Sequence, residues 1–303
     1  MLIDIHVHVA YDRGHERQAG GRYPMPEELI AMMDDRGIDK AVVMCSIQPE
    51  CRFSFLTPEE VLEICATCPD RLVPFTGLDP RMLTNSPASD FSKMLAHYKA
   101  LGCRGVGEYI PNLPFDDPLN MNMFRQVGAA GLPLTFHIGP TIGGCYGCYD
   151  EVGLPRLEKV LKAFPDLILL GHSQPFWAEI DANVTDENRN TYPPGKVTPG
   201  RLVELMREYP NLHGDLSAGS GHNAITRDPE FGLAFMEEFQ DRLYFGTDIA
   251  GAPQETPIVD YSLYKHDIQY FREVRKRESP VFLGQIGVST EEWRSNKRGL
   301  SSA

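Results

Sequence analysis

Short apolar runs recur along the chain, and each later run follows a turn rich in Pro, Gly or Asp. The runs begin near residues 2, 40, 72, 103, 133, 167, 212 and 242. Most intervals are close to the roughly 30 residues that a strand, a crossover helix and two loops need. The runs are continuously apolar rather than alternating, which is typical of parallel strands covered by helices. The pattern therefore predicts eight parallel β-strands.

Amphipathic stretches separate these runs and carry helix-start signals. Two of them begin Met25-Pro26-Glu27-Glu28 and Thr57-Pro58-Glu59-Glu60, where proline and acidic residues suit a first helical turn. Eight βα units are the number that closes a (β/α)8 TIM barrel, an α/β fold. We predict one such domain over residues 1–303, with a doubly wound open sheet as the structural alternative. Residues 182–198 predict a loop insertion after the sixth strand, on the top face of the barrel.

Composition and charge narrow the range of partners. The net charge of −13, from 42 acidic residues against 29 Lys and Arg, argues against nucleic-acid and anionic-membrane partners. No apolar stretch approaches the ~18 residues of a membrane span, and the first residues do not resemble a signal peptide. We expect a cytoplasmic protein that acts on a small molecule. A homodimer, the commonest soluble assembly, is left open.

The seven cysteines include two CxxC pairs, Cys65/Cys68 and Cys145/Cys148. The 76 residues between Cys68 and Cys145 far exceed the roughly 15–20 of a short zinc module. We therefore expect reduced thiols, with Cys65 and Cys68 acting as small apolar residues. For Cys145 and Cys148 we also expect a structural role rather than a redox role.

Five predicted strands end in residues that can bind metals or move protons. Catalytic groups of TIM barrels come from this end of the strands. The first strand ends at His6-Val7-His8, and its two imidazoles point to the same face, where they can bind one ion. The fourth, fifth, sixth and eighth strands end at Glu108, His137, His172 and Asp248.

Each of these residues, taken alone, also has an ordinary structural explanation without a metal. A single histidine at a strand end is more often a satisfied polar group than a ligand, and an HxH sequence arises by chance. Glu108 can equally bind substrate or hold a neighbouring arginine. The metal hypothesis rests on position, because four of the nine histidines stand at the ends of independently predicted strands.

Together these residues resemble the amidohydrolase superfamily, and the whole layout resembles its amidohydrolase-related branch. That branch includes aminocarboxymuconate-semialdehyde decarboxylase, related carboxylate decarboxylases and lactone hydrolases. The resemblance extends from the first strand to the eighth. It implies one divalent ion bound by His6, His8, His137 and Asp248, with Zn²⁺ expected first and Mn²⁺ or Fe²⁺ as alternatives. His172 would ligate this ion or hydrogen-bond to the metal water and the substrate.

The fourth strand departs from a pattern found in many superfamily members. Those members carry a carboxylated lysine there that bridges two metals, whereas this chain has no lysine at the position. Glu108 is the nearest candidate for a bridge. One metal is therefore the expectation, and a second metal held through Glu108 is the lesser alternative.

The residue types agree with metal-assisted hydrolysis. Neutral imidazoles and one carboxylate suit Zn²⁺ with an open position, and the ion lowers the pKa of water to about 7. Asp248 can accept and return a proton, and protonated His172 can stabilise an oxyanion. These roles predict a hydrolase acting on a small carboxylate, lactone or amide. A metal-dependent decarboxylase of an unsaturated acid, a sugar-acid isomerase and a non-catalytic metal- or metabolite-binding barrel are the alternatives.

Candidate substrate contacts lie in the loops that follow the strands. Arg13 and Arg17, after the first strand, can clamp a carboxylate. Tyr146 lies in a Gly-rich loop after the fifth strand, a position typical of substrate-facing segments. Trp177 follows His172 and predicts an apolar wall. The seventh strand is followed by Asp215, Ser217, His222 and Asn223, of which His222 is the predicted substrate contact.

Overall fold

Strands and helices alternate along the chain in a computed structural model that describes residues 2–16, 21–50 and 54–250. The strands are β1 (Ile3–Val7), β2 (Lys40–Val43), β3 (Leu72–Pro74), β4 (Val106–Tyr109), β5 (Leu134–Gly139), β6 (Cys148–Tyr149), β7 (Leu169–His172), β8 (Leu212–Asp215) and β9 (Leu243–Tyr244). The helices are α1 (Pro26–Arg36), α2 (Pro58–Thr67), α3 (Ser92–Ala100), α4 (Pro118–Ala129), α5 (Pro155–Ala163), α6 (Gln174–Ala178), α7 (Arg201–Glu208), α8 (Ala218–Thr226) and α9 (Pro229–Glu238). Each predicted apolar run contains one strand, and β6 is a further short strand. Arg17 and the polar tail after residue 258 lie outside the described residues.

All neighbouring strands are parallel. One sheet has the order β1-β2-β3, and the other has the order β4-β5-β7-β8-β9 with β6 paired to β5. Backbone hydrogen bonds join the two sheets at both seams. Thr76 N donates to Gly105 O at 2.9 Å after β3, and Ile5 N in β1 donates to Phe245 O at 3.0 Å. Eight parallel strands with alternating helices confirm the predicted (β/α)8 fold.

Two of the three apolar clusters among the described residues form most of the core. The larger lies between the strands and the surrounding helices. The smaller brings together side chains from strands of both sheets, namely Ile5, Val42, Val73, Leu170 and Tyr244. Side chains from β1, β2, β3, β7 and β9 can meet in this way only in the interior of the barrel. This packing explains why the runs are apolar on both faces.

The helix starts follow the expected chemistry. In α2, Thr57 Oγ1 accepts from Glu60 N at 3.3 Å, and the Glu60 carboxylate accepts from Thr57 N at 2.7 Å. This reciprocal pair satisfies two amides that the helix itself leaves unbonded. Proline occupies the first turn of both α1 and α2. Within the described part of the chain, no helix is long and apolar enough to cross a membrane.

Residues 182–198 form turns between α6 and α7. The ends of this insertion meet through a bond from Ala182 N to Thr198 O at 2.8 Å. Arg189, within the insertion, is almost fully buried and donates to Asp150 O at 2.9 Å. The insertion is therefore fastened to the barrel at its ends and in its middle.

Asp4 ties β1 to the segment that follows β9. Its buried carboxylate accepts from Thr247 N at 3.0 Å and from His6 N at 3.1 Å, and the Thr247 hydroxyl donates to its second oxygen. Burial raises the pKa of Asp4 to about 7, against the opposing effect of these hydrogen bonds. The contacts fix His6 in register with Asp248, one residue beyond Thr247.

We expect Asp4→Ala to lower the free energy of unfolding by about 2–4 kcal/mol, because it removes the acceptor of three buried donors. Urea denaturation measures this loss. Asp35→Ala, at an exposed carboxylate on α1, is the control and should change the free energy by less than about 0.5 kcal/mol. Equal losses in the two variants would show that Asp4 does not hold the seam.

Candidate metal centre

Three side chains at the carboxyl ends of β1 and β9 converge on one point. The Nε2 atoms of His6 and His8 are 3.2 Å apart, as expected for residues on the same face of a strand. Asp248 Oδ1 lies 3.7 Å from His6 Nε2 and 3.3 Å from His8 Nε2. Both histidines are buried, and Asp248 retains a partly exposed carboxylate. The point between these atoms is therefore closest to solvent on the side of Asp248.

The separations between these donor atoms fit a bound cation. Nitrogen ligands at about 2.0–2.1 Å from a tetrahedral Zn²⁺ stand about 3.3 Å from one another. The distances from His8 Nε2 to His6 Nε2 and to Asp248 Oδ1 are close to this value. A proton or a divalent ion between the two imidazole nitrogens can hold them at this separation. The residues present therefore suit a divalent metal.

Asp215 at the end of β8 orients His6. Its Oδ2 accepts from His6 Nδ1 at 2.6 Å, which leaves Nε2 facing His8 and Asp248. Ser217 N donates to the other carboxylate oxygen at 3.0 Å and fixes its direction. A side chain at position 246 would not fit, because a Cβ on Gly246 would lie 2.8 Å from Asp215 Oδ1. A carboxylate behind a ligating histidine is a common device for setting the tautomer.

A second group of donors adjoins the first. Glu108 Oε1 lies 2.9 Å from His137 Nδ1, and its Oε2 lies 3.6 Å from His8 Nε2. His172 Nε2 lies 3.6 Å from Asp248 Oδ2, and its Nδ1 is 2.8 Å from the Ser217 hydroxyl. The rings of His137 and His172 are 5.2 Å apart. The structure thus brings together the whole predicted set, namely His6, His8, Glu108, His137, His172 and Asp248.

The carboxylates determine the charge of the site. Burial lowers the pKa of His6, but Asp215 and Asp248 outweigh it and raise the value to about 10. Burial and the neighbouring His6 lower the pKa of His172 to about 4. Burial raises the pKa of Asp248, but the histidines, His6 foremost, bring it down to about 2. The anionic carboxylates attract positive charge to this point, which a proton on His6 or a bound cation can supply.

Tyr146 lies beside the cluster. Its ring centroid is 4.6 Å from that of His137, and its side chain is half-exposed. Asn112 holds the surrounding loop by donating to Thr141 O and to Gly147 O, both at 2.9 Å. A Cβ on Gly147 would come 2.7 Å from the His137 ring, so the loop packs directly on this histidine. This position is compatible with the predicted contact between Tyr146 and substrate.

The other predicted substrate contacts with described positions are Trp177, Arg13 and His222. Trp177 is only 2% exposed, and its indole donates to Asp215 O at 2.9 Å, so it supports the end of β8. Arg13 forms an ion pair with Glu28 near the start of α1. His222 is half-buried within α8. For these three residues a substrate contact stays a prediction.

The sequence did not assign the roles of Asp215, Ser217 and Tyr23. Asp215 and Ser217 follow the seventh predicted strand, and this position at a strand end is the sequence signal that could have placed them at the site. Tyr23 packs its ring 5.7 Å from that of His8, and its spacing along the chain carries no such signal.

A parallel barrel whose strand ends unite histidines and carboxylates defines a metal-dependent enzyme of the TIM-barrel class. The chain belongs to the amidohydrolase family, because the model of that family matches residues 3–270. The predicted family and the predicted amidohydrolase type of enzyme are thereby confirmed. The match supports a metal-dependent hydrolase or decarboxylase activity. Comparison with curated protein sequences finds no match.

Solved structures share the fold at low sequence identity. A probable 2-pyrone-4,6-dicarboxylic acid hydrolase from Acinetobacter baumannii, with citric acid bound, is 14% identical with a TM-score of 0.56, covering 97% of this chain and 98% of that one. The 5-carboxyvanillate decarboxylase from Sphingomonas paucimobilis is 16% identical with a TM-score of 0.54, covering 98% of each chain. A dihydroxybenzoic acid decarboxylase from Polaromonas sp., with manganese and 2-nitroresorcinol bound, is 16% identical with a TM-score of 0.51, covering 100% and 98%. These likenesses establish the shared fold.

We expect Asp215→Asn to weaken metal affinity about 10- to 100-fold, because His6 loses the carboxylate that sets its tautomer and basicity. Competition against a chromophoric chelator measures the affinity. Asp241→Asn, at an exposed carboxylate just before β9, is the matched control and should leave the affinity unchanged. Unchanged affinity in Asp215→Asn would contradict the orienting role.

Proposed function

We propose that this protein is a metal-dependent hydrolase that acts on a small carboxylate, lactone or amide substrate. One observation carries the proposal, namely the convergence of His6, His8 and Asp248 on a point of ligand-like spacing. Zn²⁺ is the ion proposed first, because imidazole nitrogens and one carboxylate oxygen suit it. Mn²⁺ and Fe²⁺ accept the same ligands, and the Polaromonas neighbour binds manganese on this fold.

The ligands proposed for this ion are His6, His8, His137 and Asp248. The Nδ1 of His137 is engaged with Glu108, so Nε2 is the atom available to the metal. Glu108 stands between His137 and His8, which suits it to hold both rings in place. A bridge from Glu108 to a second ion is the lesser alternative.

When bound, the cation would supply a nucleophile, because a divalent ion lowers the pKa of water to about 7. Asp248 can accept the proton, since its Oδ1 faces His6 and His8. Its Oδ2 faces His172, so the same carboxylate links the metal ligands to a second proton-handling group. His172 is neutral near pH 7, because its pKa is lowered to about 4, and it can donate a hydrogen bond to developing negative charge.

Decarboxylation of an unsaturated acid is the second candidate, because neighbours on the same fold include 5-carboxyvanillate decarboxylase. Asp248 would then protonate the substrate carbon rather than a leaving group. Product analysis separates the two activities. Incorporation of ¹⁸O from labelled water identifies hydrolysis, and release of CO₂ identifies decarboxylation.

We expect about one divalent ion per chain in protein purified without chelator, and loss of that ion in His6→Ala. Elemental analysis measures both. His97→Ala is the matched control, since His97 is exposed on α3 and its replacement should leave the metal content unchanged. A content near two ions would favour the bridge through Glu108. No ion, even after addition of Zn²⁺ or Mn²⁺, would refute the metal mechanism.

We expect His172→Ala to lower kcat by about 100-fold or more while the metal is retained, because the variant removes a donor to developing charge. The rate is measured on the lactone or unsaturated acid that a substrate screen identifies, alongside elemental analysis. Loss of the metal together with the rate would instead make His172 a ligand. His97→Ala again provides the control.

A further inference from the structure

Tyr192, in the 182–198 insertion, lies against two segments that leave the metal centre. Its hydroxyl accepts from Gln174 Nε2 at 3.3 Å, and Gln174 follows His172 by two residues. Its ring borders Gly219 in the first turn of α8, where an added Cβ would meet ring atoms at 3.3 Å. Gly219 in turn lies two residues after Ser217, which contacts His172. The insertion thus places an aromatic side chain against the segments that follow His172 and Ser217.

The position of Tyr192 is fixed by a nearly buried arginine. Arg227 Nη1 donates to the carbonyl of Pro193, the next residue along the chain, at 3.1 Å. Arg227 Nη2 donates to Asp181, at the base of the insertion, at 2.8 Å. A residue whose neighbouring backbone is held in this way can select among ligands, because binding costs little further ordering of the loop.

The hydroxyl of Tyr192 retains hydrogen-bonding capacity. It accepts from Gln174, and the described residues provide no acceptor for its own proton. Burial and the charge of Asp248 raise the pKa of this phenol, so it stays protonated near neutral pH. The side chain is 51% exposed, so a ligand can reach it. Tyr192 therefore presents a hydrogen-bond donor next to the segments that follow His172 and Ser217, within the electrostatic influence of Asp248.

We propose that Tyr192 contacts the substrate and determines specificity by donating to a second oxygen acceptor, a carboxylate or carbonyl remote from the reacting bond. This inference rests on the proposed function, because it places the reacting group at the metal centre. The proposed substrate is a small acid or lactone that carries a second carboxylate or carbonyl group away from the reacting bond.

The test compares Tyr192→Phe with the wild type, both loaded with Zn²⁺, using benzoate and isophthalate as probes. The two probes share a ring and differ in one carboxylate. Isothermal titration calorimetry should show that wild type binds isophthalate more tightly than benzoate. Tyr192→Phe should weaken isophthalate about 5- to 10-fold and benzoate less than about twofold, since one hydrogen bond to a charged group is lost.

Tyr11→Phe is the matched control. Tyr11 is 48% exposed, but its hydroxyl already donates to Glu63 at 2.6 Å, so its loss should leave both affinities unchanged. Three outcomes would overturn the inference. Tyr192→Phe could weaken both probes equally, it could affect neither, or the metal-loaded wild type could bind neither probe. Elemental analysis of the same samples tests the proposed function separately, because a chain that takes up no metal refutes that function and not the contact.

Discussion

The hydrogen bond between His6 and Asp215 constrains much of the catalytic end of the barrel. Both side chains are fully buried, and a buried carboxylate is costly unless its oxygens are bonded. The surrounding residues meet that requirement. Ser217 N bonds the second oxygen, and Trp177 holds the backbone of Asp215. Gly246 leaves the space that the carboxylate occupies. A residue with a side chain at 246 would displace Asp215 and release His6 from its orientation.

The same carboxylates connect folding to metal binding. Asp215 and Asp248 hold a proton on His6 up to a pKa of about 10, and a divalent cation competes for the same negative potential. Metal uptake at neutral pH therefore releases a proton, and acidification favours the proton over the ion. The cluster is shielded from solvent and its carboxylates carry more negative charge than its histidines neutralise. This net negative charge is costly to bury unless a cation compensates it. This imbalance is a physical reason to expect a cation in a barrel that is otherwise well packed.

The sequence predicted the parts of the structure that depend on short-range pattern. Apolar runs with turn signals located all eight barrel strands, and the position of His137 at a strand end placed it beside His172. Contacts between distant segments had no such signal. Trp177 follows His172 closely, yet nothing local indicates that its indole turns away to Asp215, 38 residues further on. Tyr192 meets Gln174 only because the insertion folds back over the barrel.

The different rigidity of strands and loops explains why the barrel holds metal ligands on strand ends and candidate substrate contacts on loops. Strand ends are rigid, so they hold the ligand cluster in a fixed geometry, whereas loops can change without disturbing the sheet. Neighbours at 14–16% identity keep the fold. We therefore expect substrate choice to depend on two segments, the loop of Tyr146, which contacts His137, and the insertion of Tyr192, which contacts Gln174. Buried polar side chains anchor both segments: Asn112 bonds two backbone carbonyls of the first, and Arg227 bonds the carbonyl of Pro193 in the second. Such anchors let a loop act as part of the binding surface rather than as a mobile cover.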